Sequence, residues 1–170
     1  MNDPAPAAAL QGTDRWLADE TATRQLGFAL ASDLLAALRH GRTALLLLGG
    51  ELGTGKTCLV QGLAEGLGIG EPITSPTFAL AQHYVGRVGG RDTALVHLDL
   101  YRLEAPAAAD ELFLQEEEEA TALGAVLAVE WPERLGMSPE PAWRLELQVE
   151  GEGRWARLDP PPAPRAAVSG

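Results

Sequence analysis

The sequence predicts a single α/β domain in which helices flank a mostly parallel central sheet and an antiparallel hairpin completes the C-terminal side. Three apolar runs, at residues 44–48, 93–98 and 125–129, have the length and composition of strands that are buried on both faces. Residues 143–150 and 154–158 instead alternate polar and apolar side chains around a Gly-Glu-Gly turn. That pattern predicts two antiparallel strands joined by a hairpin.

The domain is predicted to occupy residues 13–158. Residues 1–12 are rich in alanine and proline and lack periodicity, so they indicate a disordered lead-in, and the Pro-rich residues 159–170 indicate a flexible tail. A chain of 170 residues suits one domain, which buries roughly 70% of its unfolded surface when it folds. A second domain is not needed.

Composition narrows the classes of function. The formal net charge of -11 and the isoelectric point near 4.6 disfavour unaided binding to nucleic acid, because phosphate contacts need a concentrated basic patch. The single cysteine excludes an internal disulfide framework. No apolar run approaches the roughly eighteen residues of a membrane span, and the first residues lack the features of a signal peptide. We therefore expect a cytoplasmic protein.

Apolar side chains that recur every three or four residues predict the helices. The first covers residues 21–39, where leucines share one face as a core stripe, and the acidic pair that precedes it favours a helix N-terminus. The second starts after the glycine-rich stretch that follows residue 48 and ends at Gly68, which suits a left-handed C-cap. A third covers residues 107–119 and ends in four glutamates that are predicted to face solvent.

Residues 50–57, GELGTGKT, fit the phosphate-binding pattern G-x-x-x-x-G-K-[ST] at every fixed position and lie between a predicted strand and a predicted helix. In such a loop, backbone N–H groups at the positive end of a helix dipole bind the oxygens of a triphosphate, and glycines allow close approach. Lys56 would reach the β- and γ-phosphates, and the hydroxyl of Thr57 would bind Mg²⁺. The domain is therefore predicted to be P-loop NTPase-like.

A dinucleotide-binding turn with the pattern G-x-G-x-x-G is the alternative for this loop. Gly53 and Gly55 begin that pattern, but its third glycine would fall at Cys58. Cys58 itself is expected to be a small packing residue rather than a nucleophile.

Two carboxylates stand at the ends of predicted strands. Asp99 ends the second strand in the Walker B arrangement that holds or orients Mg²⁺ and its waters, and Glu130 follows the third strand. Open parallel sheets bind ligands beside the carboxyl ends of their strands, so both side chains can approach the magnesium near Thr57. A carboxylate at a strand end is also common as a cap of the next turn, which is the alternative for Asp99.

The remaining polar segments allow more than one interpretation. Residues 73–78, ITSPTF, form either a rigid turn before a strand or a switch-like segment that senses the γ-phosphate and Mg²⁺. Residues 86–92 indicate an exposed and mobile hairpin connection. His83 and His97 lack the spacing of metal ligands and are expected to be surface or strand residues.

The segments GELGTGKT, SPTF, HLDLYRL and VEWPER, in this order and at these separations, resemble the TsaE (YjeE) family of small bacterial ATPases over roughly residues 19–158. The resemblance implies a P-loop ATPase that uses ATP and Mg²⁺. It implies a role in forming threonylcarbamoyladenosine beside the anticodon of tRNAs that read codons beginning with adenine. It also implies that the protein binds the TsaB–TsaD pair, hydrolyses ATP to reset that pair, and meets tRNA only through the complex.

The same resemblance assigns roles to individual residues. Lys56, Asp99, Glu130 and Thr77 would be catalytic, with Asp99 in the Walker B role and Thr77 as the switch threonine. Thr57 and Glu130 would ligate magnesium, and Asp99 would hold the ion or a water bound to it. The expected nucleotide contacts are Thr23, Glu51, Leu52, Gly53, Thr54, Gly55, Lys56, Thr57, Trp131 and Arg154.

Two other functions fit the same loop. A small-molecule or nucleoside kinase would need an acceptor pocket and a lid, and the only candidate lid is the short segment 86–92. A non-hydrolysing scaffold would use the nucleotide as a switch alone. If the protein is the ATPase that the resemblance implies, turnover by the isolated chain is expected to be slow, because no arginine lies in an obvious finger loop.

Overall fold

The computed structural model describes residues 14–75 and 80–163. The three predicted buried strands and the predicted C-terminal hairpin are confirmed, as are the three predicted helices, with ends that differ by a few residues. A 3-10 turn, Pro132–Arg134, follows the strand that ends at Glu130. The elements in chain order are β1 (Asp14–Leu17), α1 (Glu20–Arg39), β2 (Leu45–Gly49), α2 (Lys56–Gly66), β3 (Ala81–Val88), β4 (Arg91–Asp99), α3 (Pro106–Leu123), β5 (Val126–Glu130), β6 (Trp143–Glu150) and β7 (Gly153–Asp159).

All of these strands belong to one sheet, in the order β1-β7-β6-β2-β5-β4-β3. The four adjacent strands β6, β2, β5 and β4 run parallel to one another. Both margins are antiparallel, since β1 pairs with β7, β7 with β6, and β3 with β4. The sheet of the described residues is therefore mixed, and the prediction of a mostly parallel sheet was wrong. The reason is that both hairpins join the central sheet instead of standing apart from it.

Local hydrogen bonds explain where α1 begins and where α2 ends. The Asp19 carboxylate accepts a hydrogen bond from the Ala22 amide over 2.8 Å and so caps α1. Gly68 follows α2 with a φ of 68°. Its amide donates to the carbonyl of Glu65, and the Ile69 amide donates to that of Ala64, each over 3.0 Å. This pair of bonds is a Schellman motif, which confirms the C-cap expected at Gly68.

The core lies on both faces of the sheet. One apolar cluster joins α1 and α2 to one face, and a second joins α3 to the other. All five residues of β2 and of β5 are buried, as expected of central parallel strands. Each fully buried leucine contributes about 1.5–3 kcal/mol relative to an exposed one. The buried strands β2 and β5 therefore hold the residues at their carboxyl ends in fixed positions.

Two local expectations differ from the structure. The hairpin connection expected at residues 86–92 is shorter than predicted, because β3 continues to Val88 and β4 starts at Arg91. The turn consists of Gly89 and Gly90 alone, whose φ angles of 56° and 76° suit a tight two-residue hairpin. Glu116, expected to face solvent, is 6% exposed.

The buried carboxylate of Glu116 lies 2.6 Å from Nε2 of His83 on β3, and this contact between α3 and the sheet explains why one glutamate of the run turns inward. The strand β1 was not predicted, because four residues carry too little alternation to be recognised. Within residues 14–75 and 80–163, no helix combines the length and apolar character needed to span a membrane.

Candidate functional site

The glycine-rich loop connects the end of β2 to the first residue of α2. Gly50 and Gly55 have φ angles of 129° and 103°, in the region that side chains rarely adopt. A Cβ at Gly50 would lie 2.5 Å from the carbonyl oxygen of Leu147, and one at Gly55 would lie 2.4 Å from Nη1 of Arg154. The loop therefore requires glycine at both positions, and it leaves the backbone at the start of α2 open to a ligand.

Lys56 lies inside this loop. Its side chain is almost wholly buried, and Nζ donates to the carbonyl oxygens of Gly50 and Glu51, the latter over 2.8 Å. The ammonium also lies 4.2 Å from the centroid of the Trp131 ring, a cation–π contact. Burial lowers the pKa of Lys56, and the nearby carboxylates, first among them Glu130, oppose that effect. A positive charge is thus held at the centre of the loop.

Two carboxylates lie beside the loop at the ends of adjacent strands. Asp99 on β4 and Glu130 on β5 are register partners. Both are largely buried, at 9% and 3% exposure. The Thr57 hydroxyl, in the first turn of α2, lies 3.3 Å and 3.4 Å from the two carboxylate oxygens of Glu130. The parallel pairing of β4, β5 and β2 thus brings these three oxygen-bearing side chains to one edge of the sheet.

Asp99 is oriented from two sides. The Ser75 hydroxyl donates to Oδ2 over 3.1 Å, and the Tyr101 amide donates to Oδ1 over 3.0 Å. Burial raises the pKa of Asp99, the Tyr101 amide opposes this, and the negative charge of Glu130 raises the pKa further. Two desolvated carboxylates that repel each other next to a hydroxyl are a suitable set of ligands for a hard divalent cation.

The donor set therefore fits Mg²⁺, which commonly takes one or two carboxylates together with substrate phosphates and waters. Thr57, Glu130 and Asp99 are the residues that could hold it. Among the described residues, no group of three or more His, Cys, Asp or Glu side chains is arranged to hold a metal.

An open cleft of about 380 Å³ lies in front of the loop. Trp131 forms one wall, with a φ of 62° that is unusual for a residue with a side chain. Its ring packs on that of Tyr101, with centroids 4.8 Å apart. The described residues that line the cleft are Glu20, Leu52, Gly53, Gly55, Lys56, Thr57, Cys58, Ser75, Leu80, Asp99, Tyr101, Arg102, Glu130, Trp131 and Arg154.

Most of the residues predicted from the sequence meet at this cleft, but three of those described do not line it. Thr23 is buried next to Gly55, and its hydroxyl donates to the carbonyl of Asp19 over 3.1 Å. The Thr54 hydroxyl donates to the carbonyl of Glu51 over 3.0 Å. Thr23, Thr54 and Glu51 are thus placed to shape the loop rather than to line the cleft. Thr77 lies outside the described residues, so its role stays a prediction.

Sequence reasoning missed several residues of the site. Ser75 and Tyr101 orient Asp99, as described above, and neither was assigned a role. His97 on β4 donates to or accepts from Oε2 of Glu130 across 2.5 Å. A signal for His97 was present, because side chains two residues apart on a strand share a face and His97 stands two residues before Asp99.

Comparison with known proteins places the chain among relatives. The family described as threonylcarbamoyl adenosine biosynthesis protein TsaE matches residues 17–157. A TsaE protein of Nostoc sp. is 41% identical over 155 residues, covering 88% of this chain and 87% of that protein. One from Synechocystis sp. is 45% identical over 127 residues, 73% of each chain.

A solved structure gives the same picture of the fold. The crystal structure of YdiB from Bacillus subtilis superposes with a TM-score of 0.53 at 25% sequence identity, covering 86% of this chain and 83% of that one. The family match spans both the glycine-rich loop and the strands that carry Asp99, Glu130 and Arg154. On this evidence the chain belongs to the TsaE family of threonylcarbamoyladenosine biosynthesis proteins.

Proposed function

We propose that this protein is a Mg²⁺-dependent ATPase that supports the formation of threonylcarbamoyladenosine in tRNA, and that it acts on the TsaB–TsaD pair in the cytoplasm rather than on tRNA directly. The observation that carries the proposal is the placement of the Thr57 hydroxyl within 3.4 Å of both Glu130 oxygens, with Asp99 as the register partner of Glu130. These groups stand at the N-terminus of α2, beside Lys56.

The chain's own groups account for binding and orientation. The backbone N–H groups of residues 51–57 and the helix dipole of α2 attract the phosphate oxygens of ATP. Lys56 supplies a charge that is already held inside the loop. Thr57 and Glu130 would hold Mg²⁺, which when bound neutralises charge on the β- and γ-phosphate oxygens. Asp99, whose carboxylate accepts hydrogen bonds from Ser75 and the Tyr101 amide, would orient a water.

Partner proteins are part of the proposal for two reasons. The net charge of -11 favours association with a basic protein surface. In addition, phosphoryl transfer in P-loop proteins often depends on an arginine supplied in trans, which is worth about 10³–10⁵ in rate. The one arginine that reaches the loop from β7, Arg154, already donates to the Thr54 carbonyl. We therefore propose slow hydrolysis alone and faster hydrolysis with TsaB and TsaD.

The kinase alternative loses support from the fold. Its candidate lid at residues 86–92 is a tight hairpin with a two-residue turn, too short to close over an acceptor. The scaffold alternative remains an outcome of the test below.

The test compares three variants of the full chain. Lys56→Ala should weaken ATP binding by about 10-fold to 100-fold, since a charge-assisted contact is worth about 1.5–3 kcal/mol. Glu130→Gln should bind ATP normally in EDTA and lose Mg²⁺-dependent phosphate release. Glu119→Gln, the same change at an exposed position of α3, is the matched control and should behave as wild type.

Calorimetry and a phosphate-release assay, each with and without TsaB and TsaD, provide the readouts. Phosphate that appears on an added metabolite instead of in water would favour a kinase. Nucleotide binding without any phosphate release, even with both partners present, would favour a scaffold. Reconstituted tRNA modification that runs equally well without this protein would refute the role in threonylcarbamoyladenosine formation.

A further inference from the structure

His97 and Glu130 form a buried pair directly beneath the candidate magnesium site. His97 Nε2 lies 2.5 Å from Glu130 Oε2, and the two side chains are 0% and 3% exposed. His97 stands on β4 and Glu130 on β5, so the contact crosses between adjacent strands. The His97 ring is closed to solvent, so it cannot exchange this partner for water, whereas Glu130 also lines the open cleft.

The hydrogen-bond inventory of the ring indicates the direction of this bond. His97 Nδ1 is buried and has no hydrogen-bond partner within residues 14–75 and 80–163. A proton on Nδ1 would therefore be a buried donor without an acceptor, which is rarer in proteins than an unused lone pair. The proton accordingly belongs on Nε2, which donates to Oε2 of Glu130.

The bond restricts the carboxylate that faces Thr57. With Oε2 engaged by His97, rotation of the Glu130 carboxylate about its last torsion is blocked. Oε1, which lies 3.3 Å from the Thr57 hydroxyl, is then the carboxylate oxygen that is not bonded to His97. A carboxylate that binds a metal gains affinity and correct geometry when a neighbouring group fixes its orientation.

We propose that His97 is a positioning residue that holds Glu130 in the orientation needed to ligate Mg²⁺ together with Thr57. The proposal rests on the proposed function, because it assigns Glu130 to the metal. It differs from a role in packing alone, which would affect nucleotide binding equally with and without the metal.

Two substitutions at His97 and one elsewhere form the experiment. His97→Leu removes the donor at similar volume, and His97→Gln keeps an amide donor near the position of Nε2. His83→Leu is the matched control, because it breaks the other histidine–glutamate pair, His83 with Glu116 at 2.6 Å, which lies away from the cleft.

The readout is the ratio of ATP affinity in Mg²⁺ to ATP affinity in EDTA, measured by calorimetry. We expect His97→Leu to lower this ratio about tenfold or more, the usual effect of losing such a support, while its affinity in EDTA stays within about twofold of wild type. His97→Gln should recover most of the ratio, and His83→Leu should keep it. An unchanged ratio in folded His97→Leu overturns the proposal. A wild-type protein that gains no affinity from Mg²⁺ contradicts the proposed function instead.

A second measurement does not depend on nucleotide or on the fold of a His97 variant. In protein labelled with ¹⁵N-histidine, the Nε2–H resonance of His97 should shift when Glu130 is changed to Ala and should not shift when Glu116 is changed to Ala. A His97 resonance that is unaffected by Glu130→Ala would show that the contact is not made in solution and would overturn the proposal.

Discussion

The guanidinium of Arg154 donates from Nη1 to the carbonyl oxygen of Thr54 over 2.8 Å, so the C-terminal strand β7 is bonded to the glycine-rich loop. The two residues are a hundred positions apart in the sequence. The contact places a positive charge beside the cleft and restrains the loop. The C-terminal hairpin is therefore part of the candidate site and not only a margin of the sheet.

Arg154→Ala should weaken ATP binding about tenfold or more. The change removes a hydrogen bond from a charged donor, a contact worth about 1.5–3 kcal/mol, and frees the loop backbone that would bind the phosphates. Calorimetric titration with ATP provides the measurement. Arg157→Ala is the control, since Arg157 lies on the same strand but is exposed and pairs with Asp14. Equal losses in both variants would mean that the effect is one of net charge.

Gly55→Ala should weaken both the fold and nucleotide binding. Its φ of 103° strains any side chain, and the new Cβ would lie 2.4 Å from Nη1 of Arg154. Gly41 also has a positive φ, of 67°, but a Cβ there meets nothing within 4 Å, so Gly41→Ala should cost only the backbone strain of about 1–2 kcal/mol. Thermal unfolding measures the loss of stability, and ATP titration measures the loss of nucleotide binding. ATP affinity that is normal in Gly55→Ala would contradict this account of the loop.

Gly27→Ala should destabilise the protein although alanine favours helices over glycine by about 1 kcal/mol. Gly27 lies where α1 crosses α2, and a Cβ there would come within 2.0 Å of the Leu59 carbonyl oxygen. Separating the helices should cost about 1–3 kcal/mol, as in other overpacked cores. Urea unfolding measures the change. Ser32→Ala, at an exposed position of the same helix, is the control and should be neutral or slightly stabilising. A Gly27→Ala variant that is more stable than wild type would refute the close crossing of α1 and α2.

Asp33→Asn should stabilise the protein near neutral pH. Burial on α1 raises the pKa of Asp33, so the folded state binds its proton more tightly than the unfolded state does. Stability is then lost as the pH rises from the ordinary aspartate range through the raised pKa, and the ionised side chain is unfavourable above it. The gain from Asn should therefore shrink as the pH falls. Urea unfolding at a series of pH values measures the gain in stability, and the exposed Glu119→Gln variant is the control. A gain from Asp33→Asn that does not change with pH would contradict the prediction.

The sequence predicted the parts of the site that depend on neighbouring residues. The loop, its lysine and Thr57 follow from an eight-residue pattern, and Asp99 and Glu130 follow from apolar runs that end in a carboxylate. These features are local, because backbone conformation and burial at a strand end depend on a few adjacent side chains. The left-handed glycine that ends α2 is a further example.

Other features were decided by the tertiary structure. The mixed sheet, the buried Glu116, the contact of Arg154 with Thr54 and the bond between His97 and Glu130 each join segments that are far apart in the sequence. Such contacts depend on which strands become neighbours and in what register, and a periodic pattern does not contain that information. Local patterns were enough to predict the nucleotide and magnesium contacts. The partners that hold those side chains in place follow from how β4, β5 and β7 pack around the loop.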